Sequence, residues 1–185
     1  MNGMWHTTKT GKTKRAERSK REDLLTNKRN NRVKTFMHQA SHKILDVVSG
    51  WGCNTIIIGH NDNWKKESNM GSVNNQKFVQ VPFNQLVSMI TYKAEAIGIN
   101  VIMTEESYTS KASALHGDDL PTYNKTDGQE HLFNGMRVSR GLYKSGKALI
   151  NADVNGSLNI IRKVVRDAFG QRIEGYSNPV SVTVR

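Results

Sequence analysis

Cysteine is nearly absent from this 185-residue chain. Cys53 stands alone, which excludes an internal disulfide framework and any multi-cysteine zinc site within the sequence. No apolar run approaches the roughly 18 residues needed to span a bilayer. The first twenty residues are polar and basic, without the apolar stretch of a secretory signal. Walker-type and dinucleotide-binding glycine patterns are missing, and no internal repeat is visible. These absences point to an intracellular, reducing location with no membrane partner. Hydrophobic residues at 36% and charged residues at 23% make an ordinary soluble balance. The length suits one domain with a real core, or a substantial piece of a larger one.

Positive charge is abundant, and it is local. Residues 9–43 hold twelve Lys and Arg against Glu17, Glu22 and Asp23, so that segment carries +9 of the net +11. Such a segment attracts polyanions, because phosphate contacts release condensed counterions. Nucleic acid is the natural partner, and a solvated basic tail is the alternative that composition leaves open. The candidate phosphate contacts are Lys12, Lys14, Arg15, Arg18, Lys20, Arg21, Lys28, Arg29, Arg32 and Lys34.

Residues 1–28 show no clear period and read as a basic arm, either extended or a loosely packed charged helix. From Arg29 onward, Val33, Phe36, Met37, Ala40, Ile44, Val47 and Val48 recur at three- and four-residue spacings, which predicts an amphipathic helix ended by Gly50 and Gly52. Residues 54–59 are β-branched and predict a buried parallel strand. Residues 59–81 are polar and read as a long loop. Pro82 opens a second helix, with Phe83, Leu86, Val87, Ile90, Ala94 and Ile97 on one face and Gly98 as its cap. Residues 99–104 predict a second strand. Helix–strand–helix–strand order implies a crossover unit and a parallel pair. Residues 107–149 read as an inserted loop, followed by a helix from near Asp153 with Leu158, Ile161, Val164, Val165 and Phe169 on its apolar side. A tail, residues 171–185, ends in alternating Val180, Val182 and Val184 that fit a short strand or a frayed end.

Three clusters could carry chemistry. Glu105 and Glu106 close the second strand, the edge where α/β sheets bind ligands, although a surface pair is the commoner reading. Adjacent strand residues face opposite sides, so only one of the two can serve a given site. Asp153 opens the last helix, as an N-cap or as an Mg²⁺ ligand of the kind phosphodiester hydrolysis uses. Trp64, Lys65 and Lys66 could stack on and neutralise a nucleic acid strand, or be a structural Trp beside solvated lysines. His38 and His42 stand one helical turn apart, with no third metal ligand nearby in sequence.

In order, the chain contains RNNRVKTFMHQASHKI (29–44), IIIGHNDNWKKE (56–67), NNQKFVQVPFNQLVSMITYKAEAIGI (74–99), TEESYTSKAS (104–113), GMRVSRGLYKSG (135–146) and INADVNGSLNIIRK (150–163). This series resembles the C-terminal half of the TnpB (OrfB) proteins of insertion sequences, relatives of the type V CRISPR effectors. The resemblance implies an α/β, RNase H-like (RuvC-like) nuclease domain at residues 29–170, cutting DNA under the guidance of an RNA, with three carboxylates holding Mg²⁺. The third carboxylate corresponds to Asp153. The second usually ends the strand matching Ile56–Ile58, where this chain has Gly59. The chain therefore resembles the branch in which that glutamate has moved to the neighbouring strand, at Glu106 or alternatively Glu105. A neighbouring parallel strand lies only about 4.8 Å away.

Two departures shape the expectation. Residues 116–149 lack the family's four-cysteine zinc ribbon, so no zinc is expected. The G-I-D-x-G strand that supplies the first carboxylate, with the antiparallel strands that open such sheets, has no counterpart here. The expected protein is thus a partial RuvC-like domain, truncated or internally started, that binds DNA and guide RNA but does not cleave alone, and the missing N-terminal part is a further possible partner. A non-catalytic nucleic acid-binding accessory protein and an unstable pseudogene fragment are the alternatives.

Overall fold

The computed structural model describes residues 19–60, 82–123, 130–170, 173 and 179–184, together with the backbone of 5–7 and 13–15. Element order is β1 (Trp5–Thr7), β2 (Thr13–Arg15), α1 (Lys20–Gly50), β3 (Thr55–His60), α2 (Phe83–Ala96), β4 (Asn100–Glu105), β5 (Gly135–Ser139), β6 (Leu142–Ser145), β7 (Ala148–Asn151) and α3 (Ala152–Val164).

The parallel pair expected from the sequence is present. β3 and β4 run side by side from Thr55 opposite Asn100 to His60 opposite Glu105. Leu45 of α1, Ala94 of α2 and Ile99 form the core against them, with Val48, Ile56 and Val101 packed around. Removing such apolar surface from water at about 25 cal/mol per Å² is what holds the layers together. Gly98 turns the chain at φ +76° just after α2, in the left-handed region that glycine enters without steric cost.

Helix α1 differs from its expected span and face. It begins at Lys20, so it runs unbroken across the 28/29 boundary drawn from periodicity. A polar signal starts it: Ser19 Oγ accepts from Glu22 N while Glu22 Oε2 accepts from Ser19 N. The buried face is Met37, Ser41 and Leu45, while Phe36 is half-exposed. Ser41 is tolerated there because Lys93 of α2 donates to its Oγ at 2.7 Å and to the His38 carbonyl at 2.9 Å. Burial lowers the Lys93 pKa.

β1 and β2 form an antiparallel hairpin ahead of α1, a two-stranded sheet that does not join β3–β4. One further expectation needs correction. The inserted loop contains a three-stranded antiparallel meander, β5–β6–β7. Its two-residue turns at Arg140–Gly141 and Gly146–Lys147 place Gly141 at φ +83° and Gly146 at φ +58°. The strands are short, and only alternate residues such as Tyr143, Ser145 and Ile150 are buried, so their apolar signal is weak. No strand forms at residues 179–184.

Tyr143 is the anchor of the meander. It is fully buried and donates to the Lys111 carbonyl at 2.7 Å. Its ring lies so close to Gly135 that a Cβ there would sit 2.5 Å from the phenolic oxygen. Burial, and then the charge of Asp118, push its pKa up to about 12. The neutral phenol is therefore the folded form, and stability present below the unfolded value near 10 is lost as pH rises from about 10 toward 12. Thermal melts across that range should show this loss in the native chain, and Tyr143→Phe should flatten it. An equal loss in both proteins would refute the assignment.

Candidate functional site

The candidate carboxylates gather around α3. Its N-cap is Asn151, whose Oδ1 accepts from Asp153 N at 2.8 Å and Val154 N at 3.2 Å. The capping role open to Asp153 thus belongs to its neighbour. Asp153 is exposed in the first turn, where the helix dipole favours a negative charge.

Glu105 and Glu106 have different surroundings, as strand alternation requires. Glu105 Oε2 accepts from Ser107 N at 2.7 Å, and Oε1 is ion-paired with Lys163 of α3. Lys163 also donates to the Pro121 carbonyl, and burial lowers its pKa. Glu105 is therefore committed to holding its own turn and α3. The Glu106 carboxylate has no hydrogen-bond partner among the described residues. It folds back over the end of β3: a Cβ built on Gly59 would lie 3.1 Å from Glu106 Oε2 and 2.8 Å from Ile160 Cδ1. The space of a side chain at position 59 is thus filled by a carboxylate from β4 and a methyl from α3.

The turn after Glu106 is clamped to α3 by two fully buried amides. Asn155 Nδ2 donates to the Ala112 carbonyl, and its Oδ1 accepts from Ala114 N. Asn159 Nδ2 donates to the carbonyls of Thr109 and Ala112, and its Oδ1 accepts from Arg162. Thr109 closes the chain of bonds to Glu106, donating from both its N and Oγ1 to the Glu106 carbonyl. Tyr108 sits in this turn at φ +62°, the one non-glycine at positive φ among the described residues, a strain of about 1–2 kcal/mol. Ring contacts with His131 at 4.8 Å and Phe133 at 5.9 Å hold it there.

Sequence reasoning missed this clamp. The expected apolar side of α3 is at most half-buried at Leu158, Ile161 and Val164 and exposed at Val165, and the buried residues Ala152, Asn155 and Asn159 lie on a different face of the helix. The one signal was two asparagines four apart, one helical turn, inside an apolar pattern. It also missed a cavity of about 540 Å³ whose walls include Glu105, Asp118, Asp119, Arg162, Lys163 and Arg166.

Asp153 and Ile160 share a face of α3, two turns and roughly 10 Å apart along the axis. Asp153 thus lies about two turns along α3 from the place where the Glu106 carboxylate approaches Gly59, and no hydrogen bond joins the two carboxylates. Among the described residues no three His, Cys, Asp or Glu are grouped to hold a metal ion. Lys20, Arg21, Lys28, Arg29, Arg32 and Lys34 are all exposed on α1. By helical spacing Arg21, Lys28 and Arg32 form one stripe opposite Met37, Ser41 and Leu45. Between Lys20 and Arg32 every residue but Thr26 is exposed, Leu24 and Leu25 included. The side chains of Lys12, Lys14, Arg15 and Arg18, and all of Trp64, Lys65 and Lys66, lie outside the described residues.

Residues 83–160, less than half of the chain, match the family model described as Cas12f1-like, TNB domain. Among solved structures the chain is similar to one in the cryo-EM structure of the Cas12f1–sgRNA–target DNA complex, with a TM-score of 0.54 and 19% sequence identity. The two findings support a relative of the TnpB/Cas12-type nucleases. The structural likeness covers 76% of this chain and 36% of that chain, so the relative's fold is shared over a minority of its own length. No curated protein matches by sequence.

Two substitutions test the clamp and the close approach. Asn159→Ala leaves the Thr109 carbonyl without its donor and Arg162 without its acceptor, while Asn155 still serves Ala112, and should cost about 1–3 kcal/mol in urea unfolding. A cost under about 0.5 kcal/mol would show that the clamp is dispensable. Gly59→Ala should cost about 1–3 kcal/mol through overpacking, and Ile160→Val, which removes the Cδ1 methyl, should recover part of it. Additive costs in the double variant would rule out that contact.

Proposed function

We propose that the chain supplies part of a RuvC-like, RNase H-type nuclease centre that cuts DNA under the guidance of an RNA. The observation that carries this reading is the Glu106 carboxylate lying over Gly59, at the end of β3, where the TnpB resemblance expects a carboxylate. Glu106 is the preferred ligand over Glu105, which its ion pair with Lys163 occupies. Glu106 and Asp153 would hold Mg²⁺, a hard cation that takes oxygen donors. That ion, when bound, supplies activation of the attacking water and stabilisation of the leaving oxygen. The chain's own residues set the stage. Asn155 and Asn159 fix the Glu106 turn to the helix that carries Asp153, and Lys163 keeps Glu105 turned away.

A third carboxylate must join these two, and no described residue stands beside them to provide it. The chain by itself is therefore a binding-competent but cleavage-incompetent part of the centre, completed by a segment bearing the G-I-D-x-G carboxylate. DNA and guide RNA are its partners in this reading. The likeness to a chain solved with sgRNA and target DNA supports them, as does the exposed basic stripe on α1. The setting is an insertion-sequence protein of the cytoplasm and nucleoid, and no described helix is long and apolar enough to cross a membrane.

The projecting half of α1, basic and unpacked, favours a second reading in which the chain binds nucleic acid without catalysis. Plasmid cleavage with guide RNA and Mg²⁺ separates the two. The chain alone should leave the plasmid intact. Cutting should appear when the missing segment is supplied, and Glu106→Ala or Asp153→Ala should abolish it. Guided cutting by the chain alone would sink the incomplete-centre claim. Glu106→Ala and Asp153→Ala without effect, while Arg21→Ala, Lys28→Ala and Arg32→Ala together abolish function, would favour the second reading. That triple variant should also shallow the salt dependence of binding by about 2–3 in log–log slope.

A further inference from the structure

Two turns meet at the base of the meander, and both are built alike. Ser113-Ala114-Leu115-His116 ends at Gly117, with φ +69°, and the β6–β7 turn runs from Ser145 into Gly146, with φ +58°. In each, a polar side chain directly precedes a left-handed glycine. Ser113 and His116 are separated by two residues, the interval from which structural zinc sites draw paired ligands.

The three side chains converge on one point. Ser113 Oγ lies 2.5 Å from Ser145 Oγ, and His116 Nδ1 lies 2.7 Å from Ser145 Oγ and 3.2 Å from Ser113 Oγ. His116 N donates to Ser113 Oγ at 3.2 Å. One proton assignment satisfies every group: Ser113 donates to Ser145, Ser145 donates to Nδ1, and the imidazole carries its proton on Nε2. The ring rests directly on Gly146, where a Cβ would lie 3.0 Å from His116 Cε1. Ser113 and Ser145 are buried, at 0% and 2% exposure. Asp118 braces the first turn by accepting from Ser113 N and from the Asn134 main and side chains.

This donor set does not fit zinc. It offers two hydroxyls and one imidazole, without a thiolate, and the chain's single cysteine is exposed at position 53. We infer that the Ser113–His116–Ser145 cluster is a metal-free knuckle, a hydrogen-bonded triad in a frame that could seat a metal, locking the turn after Glu106 to the β6–β7 hairpin. The inference does not depend on the nuclease reading.

The test uses the full chain under a phosphine reductant. The native protein should melt at the same temperature in EDTA, in buffer and with added Zn²⁺. Ser113→Cys/Ser145→Cys, retaining His116, should acquire a one-to-one zinc site in competition with a chromophoric chelator. Co²⁺ should give it thiolate-to-metal absorption, and saturating Zn²⁺ should raise its melting point by several degrees. Ser113→Ala/Ser145→Ala should melt lower and ignore Zn²⁺. If the cysteine variant is unfolded without metal, refolding on Zn²⁺ supports the inference, and failure to refold overturns it. A chelator-sensitive native protein, or a folded cysteine variant blind to Zn²⁺ and Co²⁺, likewise overturns it.

Discussion

Four hydrogen bonds from the side chains of Asn155 and Asn159 hold the turn after β4 against α3, and the arrangement of the site depends on them. Residues 107–117 are a succession of turns, outside any helix or strand. Their main-chain groups cannot satisfy one another in a regular ladder, and burying them unpaired would cost about 1–3 kcal/mol each. An apolar helix face could cover this turn but could not bond to it. A helix with two amides on its inner ridge does both, which is why the most buried side chains of α3 are polar.

Because that one helix is fixed, three carboxylates are set by it. Asp153 rides on its first turn, Ile160 in its middle packs where Glu106 crosses Gly59, and Lys163 near its end binds Glu105. Glu105 and Glu106 are adjacent in sequence yet take separate roles, because alternation at the end of a strand sends them to different neighbours. One becomes a structural ion pair; the other's carboxylate lies beside a glycine, with no hydrogen-bond partner among the described residues.

The second half of the structure solves a different problem, holding a small three-stranded sheet of short strands without a large apolar core. Tyr143 provides one bulky buried anchor, tied by its hydroxyl to Lys111. The Ser113–His116–Ser145 cluster and Asp118 supply the polar fasteners. Small buried areas make such fasteners worth more than they are in a larger core, where burial alone provides the margin.

Local pattern made part of this legible. The β-branched runs at 56–58 and 99–104 announced the parallel pair, Pro82 and Gly98 bracketed α2, and the order of elements required a crossover. The basic stripe of α1 could be read as charge, but its helical start could not be read from apolar spacing, since Ser19 and Glu22 are polar. Alternation of faces showed that only one of Glu105 and Glu106 could serve a site, without showing which. That choice belongs to Lys163 and Gly59, each more than forty residues away along the chain, and only tertiary packing brings them near. The sequence by itself determined the two strands, the helix faces and the poverty of metal-binding thiols, because these follow from residue type and period. Which carboxylate is occupied, which asparagines are buried and which hydroxyls meet were decided by the tertiary structure, because a buried polar group takes its role from the partner the fold places beside it.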